Sequence, residues 1–173
     1  MTIRKATAAD AWDIARIHVD SWKSTYQDIF PNEYIEKITV ESRHGHWQKE
    51  IAAGFDILVS SDAAGNVRGW IAFGRDRELP DSRETAEIQA MYLDPHCVRK
   101  GLGSDLLREV VSILLIAKVT NLTVWVLEKN YPARSFYHKQ GFSSVPVKQS
   151  VIERGGAALV ELKLRFPIGE HLS

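Results

Sequence analysis

The sequence has one cysteine, no excess of either charge and no hydrophobic run long enough to cross a membrane. Because Cys97 has no second cysteine to pair with, a secreted disulfide framework is excluded. Lysine plus arginine and aspartate plus glutamate each number 22, so no net charge attracts nucleic acid or anionic lipid. The longest apolar block, 110–119, is far shorter than the ~20 residues that a bilayer needs. We therefore expect no nucleic-acid partner and no membrane partner.

The first ten residues also lack a targeting pattern. Arg4 and Lys5 are followed by no apolar run, unlike the start of a signal peptide. We therefore expect a soluble, cytoplasmic protein. The remaining composition is ordinary, with 45% apolar and 25% charged residues, and 173 residues are enough to fold without cross-links. We expect one domain over residues 1–173.

Helical and strand-like patterns alternate along the chain. In order, they predict a strand (TIRKA), three helices (7–22, 31–38 and 40–54), a hairpin (DILVSSD and RGWIAFGR), a strand (85–94), a helix (102–118), a strand (121–128), a helix (130–141) and two late strands (FSSVPV and ALVELKLRF). The helix between two of these strands predicts a right-handed crossover and a parallel pair. We predict an α/β fold with a mixed sheet and helices on both faces.

A cationic, glycine-rich segment precedes the helix that is predicted to begin at Leu102. The first turn of a helix leaves N–H groups unpaired and carries a partial positive charge. Two glycines remove Cβ atoms there, so a phosphate or pyrophosphate can reach those amides. The spacing matches neither a P-loop nor a dinucleotide fingerprint, and the alternative is that the glycines only let a helix begin close to a strand. The segment comprises Arg99, Lys100, Gly101, Leu102, Gly103 and Ser104.

A second motif lies downstream, and the two motifs together carry a family resemblance. Its residues are Asn130, Ala133, Phe136, Tyr137, Gly141 and Phe142. The pair resembles the Q/R-x-x-G-x-G/A and N-x-x-A-x-x-F-Y-x-x-x-G-F motifs of the GNAT superfamily of acyl-CoA-dependent N-acyltransferases. The match covers about 87–142. The resemblance implies the GNAT fold, a mixed and mostly antiparallel sheet with a central parallel pair, and an N-acetyltransferase that uses acetyl-CoA; we expect no metal.

The resemblance also implies which residues bind acetyl-CoA. The glycine-rich segment 99–104 would cradle the pyrophosphate. The strand at 91–93 would pair with the pantetheine arm and direct an N–H at the thioester oxygen. Val98 occupies the position where the family has Gln or Arg, so we expect weaker rather than absent CoA binding. Outside the segment, the implied CoA-binding residues are Met91, Tyr92, Leu93, Asn130, Ala133 and Phe136.

Two side chains are candidates for proton transfer. Tyr137 matches the tyrosine that protonates the CoA sulfur in many relatives, and a phenol of pKa ~10 suits a thiolate of similar basicity. The alternative is a core aromatic beside Phe136, and we favour the acid. Glu87 matches a strand position where several relatives have a carboxylate that takes the amine proton. An exposed strand carboxylate with no such role is an equal alternative.

The acceptor side is predicted from the first helix. Trp22 and Tyr26 are four residues apart, as in one bacterial GNAT subgroup, and on one helix they either wall an amine pocket or pair in the core. We assign Trp70 and Trp125 to the core. The expected acceptor is a small primary amine such as a polyamine, an amino acid or a drug-like amine.

Other functions remain open at this point. A protein or peptide amine is the alternative acceptor. A non-catalytic CoA-binding regulatory module and an interaction scaffold are alternatives of different classes. Many relatives dimerise through late strands, and ALVELKLRF is a candidate interface for a homodimer.

Overall fold

The computed structural model describes residues 1–27 and 29–169. Its strands are β1 Thr2–Lys5, β2 Asp56–Ser61, β3 Val67–Arg75, β4 Thr85–Leu93, β5 Asn121–Leu127, β6 Ser143–Arg154 and β7 Ala157–Pro167. Its α-helices are α1 Ala11–Tyr26, α2 Asn32–Glu36, α3 Val40–Ala52, α4 Leu102–Ile116 and α5 Tyr131–Lys139, with 3-10 turns at Ala8–Asp10 and Pro95–Cys97. The described helices include none that is both long and apolar enough to cross a bilayer.

The helices and strands predicted from periodicity are confirmed, with two differences. The sequence pattern does not predict the turn at Pro95–Cys97, where Asp94 accepts a hydrogen bond from the N–H of His96. Strand β6 also continues well beyond the predicted FSSVPV, to Arg154. Its second half pairs with β7 around a glycine turn at 155–156, and polar residues there hide the strand from a hydrophobicity pattern.

The chain divides into two compact units. The first unit comprises Met1–Phe73 and Ala90–Glu109, and the second comprises Gly74–Gln89 and Val110–Ser173. Strands β3 and β4 and helix α4 therefore each contribute residues to both units. The expectation of a single domain over residues 1–173 stays a prediction.

In the first unit, the strand order is β1-β2-β3-β4, and β1–β2 and β2–β3 are antiparallel. Helices α1 and α3 pack together, and the apolar face of α1 lies in the core with the strands. The fully buried Trp70 donates its indole N–H to the carbonyl of Ile14, 3.1 Å away. The core assignment of Trp70 is therefore confirmed. The buried core residues are Ile14, Ala15, Ile17, Trp47, Ile57, Val59, Val67, Trp70 and Ala72.

One large apolar residue of helix α1 lies outside the core. Trp12 is 48% exposed and contacts the His44 ring, with 5.2 Å between ring centroids. Ala11 and Ile14, on either side of it in the sequence, are fully buried. Trp12 therefore lies on the side of α1 that faces away from the core.

In the second unit, the strand order is β4-β5-β7-β6. Strands β4 and β5 are parallel, with Thr85 opposite Asn121 and Ile88 opposite Val124, whereas β5–β7 and β6–β7 are antiparallel. The predicted α/β class is confirmed. Among the described residues, the sheet is mostly antiparallel and contains one parallel pair. Strand β7 pairs with β5 along Glu161–Pro167 and with β6 on its other side. The homodimer through ALVELKLRF stays a prediction.

Candidate active site

The glycine-rich segment forms an irregular turn that ends at the start of α4. Arg99 and Gly101 have left-handed backbones, with φ of +60° and +85°. A Cβ built on Gly101 would meet no atom within 4 Å. The helical ladder begins with a 3.0 Å bond from Asp105 N to Gly101 O, so the amides of 102–104 come before it. The predicted combination of early amides and open space beside a glycine is present.

The strand before this turn is held in place on the first unit. The Ser21 hydroxyl donates to the carbonyl of Leu93 at 2.6 Å, and the N–H of Asp94 donates to the carbonyl of Arg68 at 2.9 Å. Gly69 allows β3 to approach closely, because a Cβ there would be 2.6 Å from the Leu93 side chain. The end of β4 at Leu93 and Asp94 is thereby bound to α1 and β3 within this unit.

The side chains near the turn differ in exposure. Arg99, Lys100 and Val98 are exposed, whereas Gly103 is buried and Ser104 is half-buried. The two cations are thus free to move toward an anion in solution. Val98 has an aliphatic side chain and supplies no hydrogen bond at the position where the family motif has Gln or Arg.

A cluster of aromatic side chains surrounds Trp22 in the first unit. Trp22 is only 5% exposed, its ring centroid lies 4.7 Å from that of Tyr26, and its indole N–H donates to the Tyr92 hydroxyl at 2.8 Å. The prediction that one helix carries Trp22 and Tyr26 on one face is confirmed, and the burial of Trp22 fits core pairing. Tyr26 is half-buried and keeps some exposed surface. We call the following set the aromatic cluster: His18, Trp22, Tyr26, Phe30, Tyr34 and Tyr92.

Sequence reasoning missed His18 as a member of this cluster. Its ring stacks on Tyr92 with 4.7 Å between centroids, and its Nδ1 accepts the indole N–H of Trp47 at 3.2 Å. His18 is buried and lies four residues before Trp22 on α1. That i, i+4 spacing was the available signal, since it places His18 and Trp22 on one side of the helix.

In the second unit, Asn130 and Tyr137 mark the beginning and the buried face of α5. Asn130 is the N-cap, and its side-chain oxygen accepts the N–H of Ala133 at 3.2 Å. Tyr137 is buried, with ring centroids 5.2 Å from Phe136 and 5.1 Å from Phe142. Asn130 therefore has the capping role, and Tyr137 has the aromatic surroundings expected of a core residue. Neither contact conflicts with a further role toward a ligand.

Glu87 is not an exposed strand carboxylate, so that alternative is wrong. Its side chain is 1% exposed. Oε2 accepts the backbone N–H of Arg77 at 2.8 Å, and Oε1 accepts the Nε–H of the same residue at 2.7 Å. The period-2 pattern of β4 suggests exposure because it does not register the β3–β4 loop that covers this side of the strand.

The β3–β4 loop is attached to the sheet of the second unit by an ion-pair network in which Asp76 and Lys163 are buried and Glu78 is exposed. Lys163 on β7 donates to Asp76 Oδ2 at 2.9 Å and to Glu78 Oε2 at 2.7 Å. The Thr123 hydroxyl donates to Asp76 at 2.6 Å. We call this set, Asp76, Glu78, Thr123 and Lys163, the loop clamp. The sequence signals for it were the acid–base alternation of RDRE and the lysine between two leucines in LKL.

The loop clamp perturbs the ionisation of its members. Burial opposes the charged form of Asp76, but hydrogen bonds from Thr123 and Lys163 outweigh it and hold the pKa of Asp76 below its usual value. Burial likewise opposes charge on Lys163, but hydrogen bonds to Glu78 and Asp76 raise the pKa of Lys163. Both groups are charged at neutral pH as a result.

Trp125 does not belong to the core, contrary to its assignment from the sequence. It is half-buried on β5, and two cations flank its ring. The guanidinium of Arg77 lies 5.8 Å from the ring centroid and the Lys163 ammonium lies 5.6 Å from it. An aromatic face attracts cations through its quadrupole, so the Trp125 ring stabilises the positive charges of these two side chains.

Comparisons with known proteins agree on one family. Residues 12–142 match the family model described as "Acetyltransferase (GNAT) family". The chain is 33% identical over 167 residues to "Uncharacterized N-acetyltransferase YuaI" of Bacillus subtilis, covering 96% of this chain and 93% of that one. It is 30% identical over 145 residues to spermidine N(1)-acetyltransferase of Thermoplasma acidophilum, covering 81% and 86%.

The fold has a solved counterpart. The crystal structure of a GNAT superfamily phosphinothricin acetyltransferase from Sinorhizobium meliloti, in complex with acetyl-CoA, is similar with a TM-score of 0.74. The two sequences are 22% identical, and the likeness covers 99% of this chain and 90% of that one. At that identity, the likeness concerns the fold alone.

Proposed function

The chain belongs to the acetyltransferase (GNAT) family, and we propose that it transfers an acetyl group from acetyl-CoA to a small primary amine by direct attack in a ternary complex. The observation that carries the proposal is the turn before α4. There the amides of 102–104 precede the helical ladder, and the space that a Cβ of Gly101 would fill is open. Such amides, with the positive end of the helix dipole, favour a diphosphate.

The remaining CoA contacts are proposals that follow the family motifs. Arg99 and Lys100 add exposed positive charge, and Ser104 adds a hydroxyl donor. The backbone of 91–93 pairs with the pantetheine arm, and an N–H there stabilises the developing negative charge on the thioester oxygen. Asn130, Ala133 and Phe136 contact the CoA arm from α5. Val98 supplies no phosphate contact, so we expect modest CoA affinity.

We assign the proton transfers to two groups of the second unit. The amine nitrogen attacks the thioester carbonyl carbon, the C–S bond breaks, and the Tyr137 hydroxyl gives its proton to the leaving thiolate. Glu87 accepts the proton that the amine loses, directly or through water. Its two oxygens each retain a lone pair beyond the bond to Arg77, which supports this role.

The acceptor is proposed to contact the aromatic cluster. Tyr26 and Tyr34 are half-buried, so they keep surface on which a substrate can rest, and Trp22 supports them from the buried side. Aromatic faces attract cationic amines. The relative from Thermoplasma is named for spermidine, which is an amine of this kind. A cytoplasmic location and a homodimer stay predictions.

Acetyl-CoA binding is tested by two glycine-to-alanine variants, one in the proposed binding turn and one at a glycine distant in the sequence with the same backbone angle. Gly101 and Gly65 both have φ of +85°, and a Cβ added at either would meet no atom within 4 Å. Alanine at either position costs about 1 kcal/mol of stability because of the left-handed backbone. We expect only Gly101→Ala to weaken CoA binding, by about tenfold, because its methyl group reaches the diphosphate. Equal CoA affinity of the two variants in calorimetric titration would refute the proposed cradle.

Turnover is tested with a panel of amines and detection of released thiol. The panel contains polyamines, free amino acids and a peptide with a free amino terminus. We expect thiol release with a small amine. Release with the peptide alone would replace the small-molecule acceptor by a protein one, and CoA binding without release from any amine would indicate a regulatory module.

A further inference from the structure

Among the described residues, the hydrogen bonds to the Glu87 carboxylate come from Arg77. The backbone N–H of Arg77 bonds one oxygen at 2.8 Å and its Nε–H bonds the other at 2.7 Å. One hydrogen bond to each oxygen restricts rotation of the carboxylate about the Cγ–Cδ bond. The rotational state of Glu87 is therefore set by the position of one loop residue.

That loop residue is itself fixed by its two neighbours. Asp76 and Glu78, on either side of Arg77, both bind the ammonium of Lys163. Asp76 Oδ1 also accepts the N–H of Glu78 at 2.8 Å, which closes a tight turn around Arg77. The loop clamp thus holds the backbone from which both donors to Glu87 originate.

The guanidinium of Arg77 has the contacts of an orienting group rather than of a core residue. Its side chain is 51% exposed. Beyond Glu87, it lies 3.6 Å from Glu161 Oε2 and 5.8 Å from the Trp125 ring centroid. The guanidinium thus connects a buried carboxylate to solvent-exposed surface, and its loss leaves the Glu87 charge buried without a cation.

We propose that Arg77 is a positioning residue that orients the Glu87 carboxylate for accepting the amine proton, and that the loop clamp holds Arg77 for this purpose. The inference rests on the proposed function, because it assumes that Glu87 is the base that accepts the amine proton. Arg77 occupies one lone pair on each oxygen of Glu87, and the other lone pairs stay available to accept a proton. Misplacing a catalytic group by about 1 Å lowers the rate about 100-fold, so the effect of losing this orientation on kcat is large enough to measure.

The experiment is a double-mutant cycle between Arg77 and Glu87 with kcat as the readout. Arg77→Ala removes the Nε–H donor and keeps the backbone donor, so we expect kcat to fall about tenfold while CoA affinity stays within about twofold. In a Glu87→Gln background, we expect Arg77→Ala to have no further effect on kcat. Arg77→Lys keeps a cation but lacks the planar fork, and we expect it to recover part of the lost rate.

The possible outcomes separate this inference from the proposed function. If Glu87→Gln retains full kcat, Glu87 is not the base, and the inference is overturned together with that assignment. If Glu87→Gln is slow but Arg77→Ala is not, only the positioning role is overturned. Equal losses from Arg77→Ala in both backgrounds would likewise overturn it, because Arg77 would then act without Glu87. Thermal unfolding of Arg77→Lys and Arg77→Ala shows whether a loss of kcat is caused by misfolding.

Discussion

Two buried regions, the tryptophan core of the first unit and the loop clamp of the second, satisfy their polar atoms in opposite ways. In the core of the first unit, large neutral aromatics are buried and their indole donors bond neutral acceptors: Trp70 to the Ile14 carbonyl, and Trp22 to the Tyr92 hydroxyl. In the second, full charges are buried, since Lys163 and Asp76 are both buried and paired, and Lys163 also binds the exposed Glu78. Neutral packing tolerates changes of pH, whereas buried ion pairs depend on it. We therefore expect the tryptophan core of the first unit to keep its stability across pH, whereas that of the loop clamp changes with pH.

The largest expected effect is on stability, from Lys163→Met. This change leaves the buried carboxylate of Asp76 without its cation, and we expect the free energy of unfolding at pH 7 to fall by about 3–5 kcal/mol. The pKa of Asp76 is below its usual 3.8, so its contribution is present above that pH and is lost as the pH falls through the folded value. The pKa of Lys163 is above its usual 10.5, so its contribution is present below that pH and is lost as the pH rises through the folded value. Urea unfolding as a function of pH measures the difference.

Trp70→Ala is the matched change in the first unit. Loss of a fully buried tryptophan costs about 3–5 kcal/mol, similar to the ionic variant, but no titrating group is removed. We expect its deficit to stay constant where that of Lys163→Met shrinks, at acidic and at strongly alkaline pH. Parallel pH curves for the two variants would contradict the distinction between the units.

The next effect is on catalysis, from Tyr137→Phe. Removing a general acid lowers kcat by at least about 100-fold, or ~2.7 kcal/mol, and we expect CoA affinity to stay within about twofold. Tyr131 on the same helix is 67% exposed and provides the control, since Tyr131→Phe removes a hydroxyl without an assigned role. Stopped-flow or steady-state thiol release gives kcat for both. A Tyr137→Phe enzyme as fast as the control would leave Tyr137 with its aromatic packing alone.

The smallest effect is on the acceptor, from Trp22→Phe. The variant keeps an aromatic ring but loses the indole bond to Tyr92, which costs about 1 kcal/mol of stability. If the aromatic cluster contacts the acceptor, we expect the acceptor KM to rise by up to about tenfold with CoA affinity unchanged. Trp12→Phe, on the exposed side of the same helix, is the control and should change neither. A KM that stays at the wild-type value would restrict Trp22 to the core.

Sequence reasoning succeeded where the pattern is local and failed where the partner is distant. The helix predicted at 130–141, the glycine turn before α4 and the pairing of Trp22 with Tyr26 follow from spacing within a few residues, and all three are present. Trp125 was assigned to the core because a tryptophan in an apolar strand is usually buried. Its neighbours, Arg77 and Lys163, come from 48 residues before and 38 residues after it in the chain. Sequence patterns that span a few residues do not predict contacts with residues so far away in the chain.

Glu87 illustrates the same limit at the candidate site. Its place on β4 and its match to a family carboxylate were readable from the sequence, but its environment was not. Whether a strand carboxylate is exposed or buried depends on the loop that covers it, and here the β3–β4 loop buries it against Arg77. The same holds for Lys163, which looks like an exposed strand lysine until Asp76 and Glu78 are seen beside it.

By itself, the sequence determined the order and type of the elements, the family, and the turn of glycines before α4. These depend on hydrophobic period, capping and backbone freedom, which act over a few residues. Only the tertiary structure decided which charges are buried, which carboxylate is held by which cation, and which strand edges are already paired. Those properties depend on contacts between segments far apart in the chain, and burial converts each such contact from a weak surface interaction into a strong constraint.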